Sequence, residues 1–231
     1  IVDRWARFLN SYGAGTRVQE TIVNRVLDDA DVSQLVQKPL RGDEFDFFRT
    51  DFNRIVRDKL AAHGLAPGGY AVFAPFTTRP QKHWFEDAWQ ALAPQLIAAT
   101  GLTPVILGGP ADADAAARIA AADPRIVNLA SQTRLPEAVA VIARSALVIG
   151  VDTGLTHMGT ALARPTVAIF GSTCPYQNTG RPTGSVIWLG LECSPCRRRP
   201  TCGGKFTCLR DITPAMVLDA ARAMLAAGEG A

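Results

Sequence analysis

From Tyr70 to Phe170 the chain repeats one unit, a short apolar run followed by a stretch with helical spacing of its apolar residues. The runs Tyr70 to Ala74, Thr103 to Leu107, Arg125 to Leu129, Ala146 to Val151 and Thr166 to Phe170 read as strands. Between them Phe85 to Ala99, Ala111 to Ala122, Leu135 to Ala143 and Thr153 to Ala163 read as helices. Pro214 to Ala226 reads as a closing helix, with Thr213 at its N-cap and Pro214 in its first turn. Continuous apolar strands alternating with helices imply a parallel sheet covered on both faces, an α/β fold of Rossmann-like type. In such sheets ligands bind outside the carboxyl ends of the strands, so the loops after Ala74, Leu107, Leu129, Val151 and Phe170 are where chemistry is to be sought.

The pattern begins at a cluster of chain breakers, Ala66-Pro67-Gly68-Gly69. Before it, Ile1 to Leu9, Val18 to Val26 and Phe52 to Ala62 have helical spacing, joined through the turn-rich Lys38 to Asp43. The chain therefore divides into a helical segment, 1–65, and an α/β domain, 66–231. With 48% hydrophobic and 19% charged residues it has the balance of a folded protein, and a net charge of +3 gives no reason to expect nucleic-acid binding. The longest apolar stretch, Ala138 to Val151, is interrupted by Arg144 and too short for a bilayer. The chain opens Ile-Val-Asp-Arg-Trp, with neither an initiator methionine nor a visible signal peptide, as expected of a processed product, a fragment, or a chain whose first part was not observed. These features fit a cytoplasmic protein.

Three loops carry candidate residues. Asp152-Thr153-Gly154-Leu155-Thr156-His157 lies where a buried strand gives way to a helix. The first amides of a helix lack intrahelical partners and carry partial positive charge, which suits a phosphate. Gly154 permits close backbone approach, Thr153 adds a hydroxyl, and His157 falls on the same helix face as Thr153. The bland alternative is that Asp152 caps the helix and His157 packs. After the first strand, Thr77-Thr78-Arg79-Pro80-Gln81-Lys82-His83-Trp84 gathers two hydroxyls and two cations, suited to an anion or simply solvated. In Gly108-Gly109-Pro110-Ala111-Asp112 the carboxylate could bond a ribose hydroxyl, or serve the first turn of its own helix.

Taken in order, Thr77-Thr78-Arg79 with Lys82-His83-Trp84 and Trp89, then Gly108-Gly109-Pro110, then Asp152 to Met158 with Arg164-Pro165, then Phe170 to Thr173, resemble glycosyltransferase family 9. The resemblance covers residues 66 to 227 and is nearest to the heptosyltransferases of the lipopolysaccharide inner core. It implies a GT-B fold, two Rossmann-like domains facing across a cleft, with this chain supplying the donor-binding one. Val2 to Trp5 resembles the point where the family's first domain ends. The resemblance implies an ADP-heptose donor bound by Thr77, Thr78, Lys82, Asp112, Asp152, Thr153, Gly154 and His157, with Lys82 also offsetting charge on the departing ADP. Asp112 stands where close relatives have a glutamate. Transfer in the family inverts the anomeric centre, and the base is an Asp in a Gly-rich loop of the first domain, a pattern this chain lacks. No cofactor is implied as required. The implied partners are the ADP-sugar donor and a lipid-linked core oligosaccharide acceptor, with peripheral contact at the inner membrane. Alternatives are a transferase using another nucleotide sugar, or a non-catalytic nucleotide-sugar-binding protein.

Cysteines occur at 174, 193, 196, 202 and 208. Cys193, Cys196, Cys202 and Cys208 fall in one loop between the last strand and the closing helix, a pattern able to hold a structural zinc ion or an iron–sulfur cluster. Reduced thiols or a redox-dependent disulfide are the alternatives, and the isolated Cys174 reads as inert. Arg197, Arg198 and Arg199 in the same loop could meet acidic sugars or lipid phosphates, or be solvated.

Overall fold

The computed structural model describes residues 52–173, 182–196 and 199–228. Helix α1, Phe52–Ala62, precedes the sheet. Strand β1, Tyr70–Ala74, leads through a 3-10 turn at Pro80–Lys82 into α2, Glu86–Thr100. Then follow β2, Thr103–Ile106; α3, Ala113–Ala120; β3, Val127–Asn128; α4, Leu135–Ala143; β4, Leu147–Val151; α5, Gly154–Ala161; and β5, Thr166–Ile169. A sixth strand, β6, Gly184–Ile187, then the short α6, Thr207–Arg210, and α7, Pro214–Gly228, complete the described chain. The helices expected over 1–9 and 18–26 lie outside the described residues, as does the 2–5 segment.

Every pairing in the sheet is parallel, in the order β3-β2-β1-β4-β5-β6. That is the doubly wound order, which reverses between β1 and β4 and opens a crevice at their carboxyl ends. Strand β1 shows why both faces are covered. Ala71 and Phe73 enter a core with Trp84, Trp89, Leu92 and Val217. Tyr70 and Val72 enter the opposite one, with Leu60, Val141 and Met158. The side-chain alternation of a strand thus serves two apolar faces, and no polar position interrupts it. The Tyr70 hydroxyl donates to the Val141 carbonyl at 2.6 Å, so its buried O–H is satisfied, and burial pushes that phenol well above its ordinary range.

Short helix α5 must lie close on the sheet to present its first turn at the crevice. A Cβ on Gly150 of β4 would stand 2.1 Å from the Thr156 hydroxyl oxygen, and one on Gly159 would stand 2.8 Å from that of Thr166. Glycine at these two places allows the close approach. Helix α7 is capped as expected, the Met216 amide donating to the Thr213 hydroxyl at 3.3 Å.

The sequence reading has no element at 184–187. Strand β6 is a half-buried edge strand with only Val186 and Ile187 apolar, a signal too short to stand out. The third strand is shorter than expected, two residues instead of 125–129, because its flanks are tied up in turns around Asp123 and Asn128.

Candidate functional site

The loops after β1 and β4 meet across the crevice. Lys82 sits at the end of the 3-10 turn, and its Nζ lies 2.6 Å from Asp152 Oδ2 and 3.2 Å from the Asp152 carbonyl oxygen. The other carboxylate oxygen, Oδ1, is 3.1 Å from His157 Nε2. The hydroxyl of Thr173, from the loop after β5, also donates to Oδ2. Two other loops and one helix therefore converge on the Asp152 carboxylate, at the place where the strand order reverses.

Asp152 does not cap α5. The N-cap is Thr153, in extended conformation, with no side-chain cap bond, while the Asp152 carboxylate turns back to Lys82, His157 and Thr173. Burial alone would raise the Asp152 carboxyl, but hydrogen bonds from His157, Lys82 and Thr173 and the charge of Lys82 outweigh it and hold the group well below the usual carboxylate range. The folded protein thus binds this proton less readily than the unfolded chain does, so stability rises with pH through the acid range. The contribution is complete above the ordinary aspartate value, near pH 4, and is lost as pH falls further toward the depressed folded value. Asp152→Asn is accordingly expected to destabilise by a constant amount from about pH 7 to pH 5 and by less below about pH 4. Urea midpoints of both proteins across that range check it, and a difference that stays flat into strong acid would contradict it.

The other sequence candidates are placed as follows. Thr77 is half-buried and Thr78 exposed on the same loop. The Thr77 carbonyl pairs with His83 Nε2 at 2.7 Å, closing the loop that carries Lys82. His83 thus lies in the connection between the 3-10 turn and α2, ahead of the helix start at Glu86. Gly154 is the first residue of α5. Asp112 is not drawn into the Lys82–Asp152–His157 cluster. Its Oδ2 accepts from the Gly109 amide at 2.8 Å, so the carboxylate serves its own turn. Thr173 was legible as part of a motif, but its contact with Asp152, twenty-one positions away, depends on how β4 and β5 pair.

Among the described residues, no three His, Cys, Asp or Glu side chains are gathered closely enough to hold a metal ion as they stand. Cys193 is exposed, Cys196 and Cys202 are half-buried and Cys208 is buried, all as free thiols. Burial and the neighbouring thiols raise Cys208, whereas backbone amides led by that of Phe206 hold Cys202 below the ordinary thiol range. Arg199 is exposed, and Arg197 and Arg198 lie outside the described residues. Among the described residues no helix is long and apolar enough to cross a membrane.

A parallel sheet in this order, with a lysine and a helix N-terminus at its switch point, defines an α/β protein of the doubly wound class. Residues 31–206 match the family model for glycosyltransferase family 9 (heptosyltransferase), and the chain belongs to that family. It is 34% identical over 168 residues to lipopolysaccharide heptosyltransferase 2 of Salmonella typhimurium, covering 70% of this chain and 46% of the relative. Its fold is similar to that of E. coli ADP-heptose LPS heptosyltransferase II, with a TM-score of 0.64 and 28% identity over 84% of this chain and 55% of that one. E. coli heptosyltransferase WaaC with ADP is also similar, with a TM-score of 0.54 and 27% identity over 74% of this chain and 48% of that one. The chain spans about a third to a half of the length of the curated relatives it matches.

Proposed function

We propose that this chain is the donor-binding half of a heptosyltransferase that takes heptose from ADP-heptose to an acceptor in the lipopolysaccharide inner core, with inversion. On this reading residues 1–65 are the end of the first domain and the linker, and 66–231 are the donor domain. The observation that carries it is the convergence of Lys82, Asp152 and His157 on the N-terminus of α5 at the sheet's switch point. The relatives whose names specify ADP-heptose or ADP support the choice of donor.

The diphosphate would lie against the first amides of α5, with Thr153 and Gly154 below it and Lys82 beside it. Thr77 and Thr78 would reach it from the opposite lip, and Asp112 would contribute at most from the rim. The acceptor hydroxyl attacks the anomeric carbon, the bond from that carbon to the diphosphate oxygen breaks, and the acceptor proton passes to a base. Lys82 offsets the charge that grows on the departing ADP. His157 is held by Asp152 on the phosphate side, which suits a hydrogen bond to the donor better than deprotonation of an acceptor across the cleft. The base is therefore assigned to a part of the enzyme outside this chain. The acceptor is lipid-linked, so the enzyme would work in the cytoplasm against the inner membrane. No cofactor enters the reaction as drawn.

Calorimetric titration with ADP, UDP and GDP tests the donor. ADP is expected to bind best and weakly, since half the cleft is absent from the chain. Gly154→Val should weaken ADP binding by about tenfold, roughly 1.4 kcal/mol, because its branched side chain meets the ligand at the helix terminus. Unchanged ADP affinity in a folded Gly154→Val protein would exclude the site.

A further inference from the structure

Lys82 reaches the crevice on a flexible four-carbon stem, so its place there is set by what its ammonium meets. Two of its three N–H donors are directed to Asp152, one to Oδ2 at 2.6 Å and one to the carbonyl oxygen at 3.2 Å. One donor remains for a ligand. The carbonyl belongs to the backbone and cannot swing. The carboxylate can, because the last torsion of an aspartate is broad. His157 Nε2 meets its Oδ1 at 3.1 Å, and Lys82 and the Thr173 hydroxyl share its Oδ2. Of these partners, Thr173 is the one anchored beyond β4 and α5, in the loop after β5.

Residues 170–173 are fixed from behind. The Phe170 amide donates to the Ile187 carbonyl of β6 at 2.9 Å, and the Phe170 ring lies beside that of His157, with centroids 6.4 Å apart. The Gly171 carbonyl accepts from the Ser194 hydroxyl, which itself receives the Trp188 indole N–H at 3.0 Å. A Cβ on Gly171 would stand 2.5 Å from Leu209 Cγ, so the backbone there presses directly on α6. Ser172 is 2% exposed. A short segment gripped by β6, the 188–194 loop and α6 has little freedom, and Thr173 stands at its end with its hydroxyl on Asp152.

We propose that Thr173 is a positioning residue for the transfer step: its hydroxyl fixes the Asp152 carboxylate, and through it holds the Lys82 ammonium where charge grows on the leaving diphosphate. The inference rests on the donor reading above. A charge that stabilises a transition state acts only where the new charge appears, and a displacement of about 1 Å can cost on the order of a hundredfold in rate. Without the Thr173 hydroxyl, Oδ2 keeps Lys82 alone, and the carboxylate turns more freely about its last torsion and takes the ammonium with it. Ground-state binding is spread over helix amides and several side chains and tolerates that shift. The developing charge does not. Thr173 thus acts through Asp152 and Lys82 rather than on the donor, and β6 with the loop behind it serves as the support.

Steady-state kinetics of the full-length enzyme carrying Thr173→Val test this, since valine keeps the shape and removes the hydroxyl. Turnover should fall about tenfold while the donor's apparent KM changes less than about twofold. Thr173→Ser should restore most of the loss, because its hydroxyl can take the same place. Thr173→Ala should behave as Thr173→Val does, which separates the lost hydroxyl from a misplaced methyl and serves in its stead if the valine protein does not fold. In a Lys82→Ala background, Thr173→Val should cost less than about twofold, because the group it positions is gone. The same loss with and without Lys82 would overturn the proposal, as would equal losses in the serine and valine proteins or a change confined to KM. A parent enzyme that turns over a nucleotide sugar other than ADP-heptose would overturn the donor reading alone, and the same ratios measured with that sugar would still decide the role of Thr173. An enzyme that transfers from none would overturn both.

Discussion

Lys82→Ala in the full-length enzyme is expected to lower turnover by about a hundredfold or more while changing the donor's apparent KM much less. The side chain is held 2.6 Å from Asp152 and is only one-fifth exposed, so little ordering would be needed for it to meet a donor. On the proposed reading its charge would meet an anion that grows more negative as the bond from the anomeric carbon to the diphosphate breaks. An interaction that strengthens toward the transition state appears in kcat, whereas one of equal strength throughout appears in KM. The substitution should leave the fold standing, because Asp152 keeps its bonds to His157 and Thr173. Steady-state kinetics with a parallel thermal melt decide the matter. A KM increase with kcat unchanged would make Lys82 a ground-state binding residue only. Lys82→Arg should recover part of the loss, since the charge returns on a wider, planar head.

Trp84→Ala should cost about 3–5 kcal/mol of stability. The indole is 2% exposed, stacks edge-on against Trp89 with ring centroids 5.0 Å apart, and donates its N–H to the Ile212 carbonyl at 2.9 Å. Truncation opens a cavity in the core between α2 and α7 and strands a buried carbonyl at the entry to α7. Trp84→Phe keeps most of the apolar volume but loses the donor, so about 1–3 kcal/mol is expected. Urea unfolding of the three proteins measures both steps, and a loss under about 1 kcal/mol for Trp84→Ala would show that the core closes over the gap. Because Trp84 follows Lys82 by two positions, the same anchor that ties the sheet to α7 also fixes the root of the loop carrying the lysine.

Much of this architecture could be read from the chain. All five expected strands, the third shortened to two residues, and the four intervening helices recur within a few residues, because strands buried on both faces leave unbroken apolar runs and the helices between them keep a 3.6-residue period. The six-stranded order could not be read, since strand order depends on which apolar faces meet, and β6 was invisible because an edge strand need not be apolar.

The candidate site divides in the same way. Local chemistry made Lys82, Asp152, Gly154 and His157 stand out, each at a strand-to-helix junction where backbone amides are left over. Only the tertiary structure decided that Lys82 and His157 share the Asp152 carboxylate, that Thr173 joins them, and that Asp112 turns to its own loop. The same holds for the cysteines. Spacing grouped four of them in one loop, but only folding of that loop against Gly171 and Ser172 brought all four to one small cavity. The physical reason is one of range. Backbone propensity and apolar periodicity act over a few residues and are written in the local sequence. Contacts between side chains seventy or more positions apart, as between Lys82 and Asp152, exist only once parallel pairing of β1 and β4 has brought their carboxyl ends side by side.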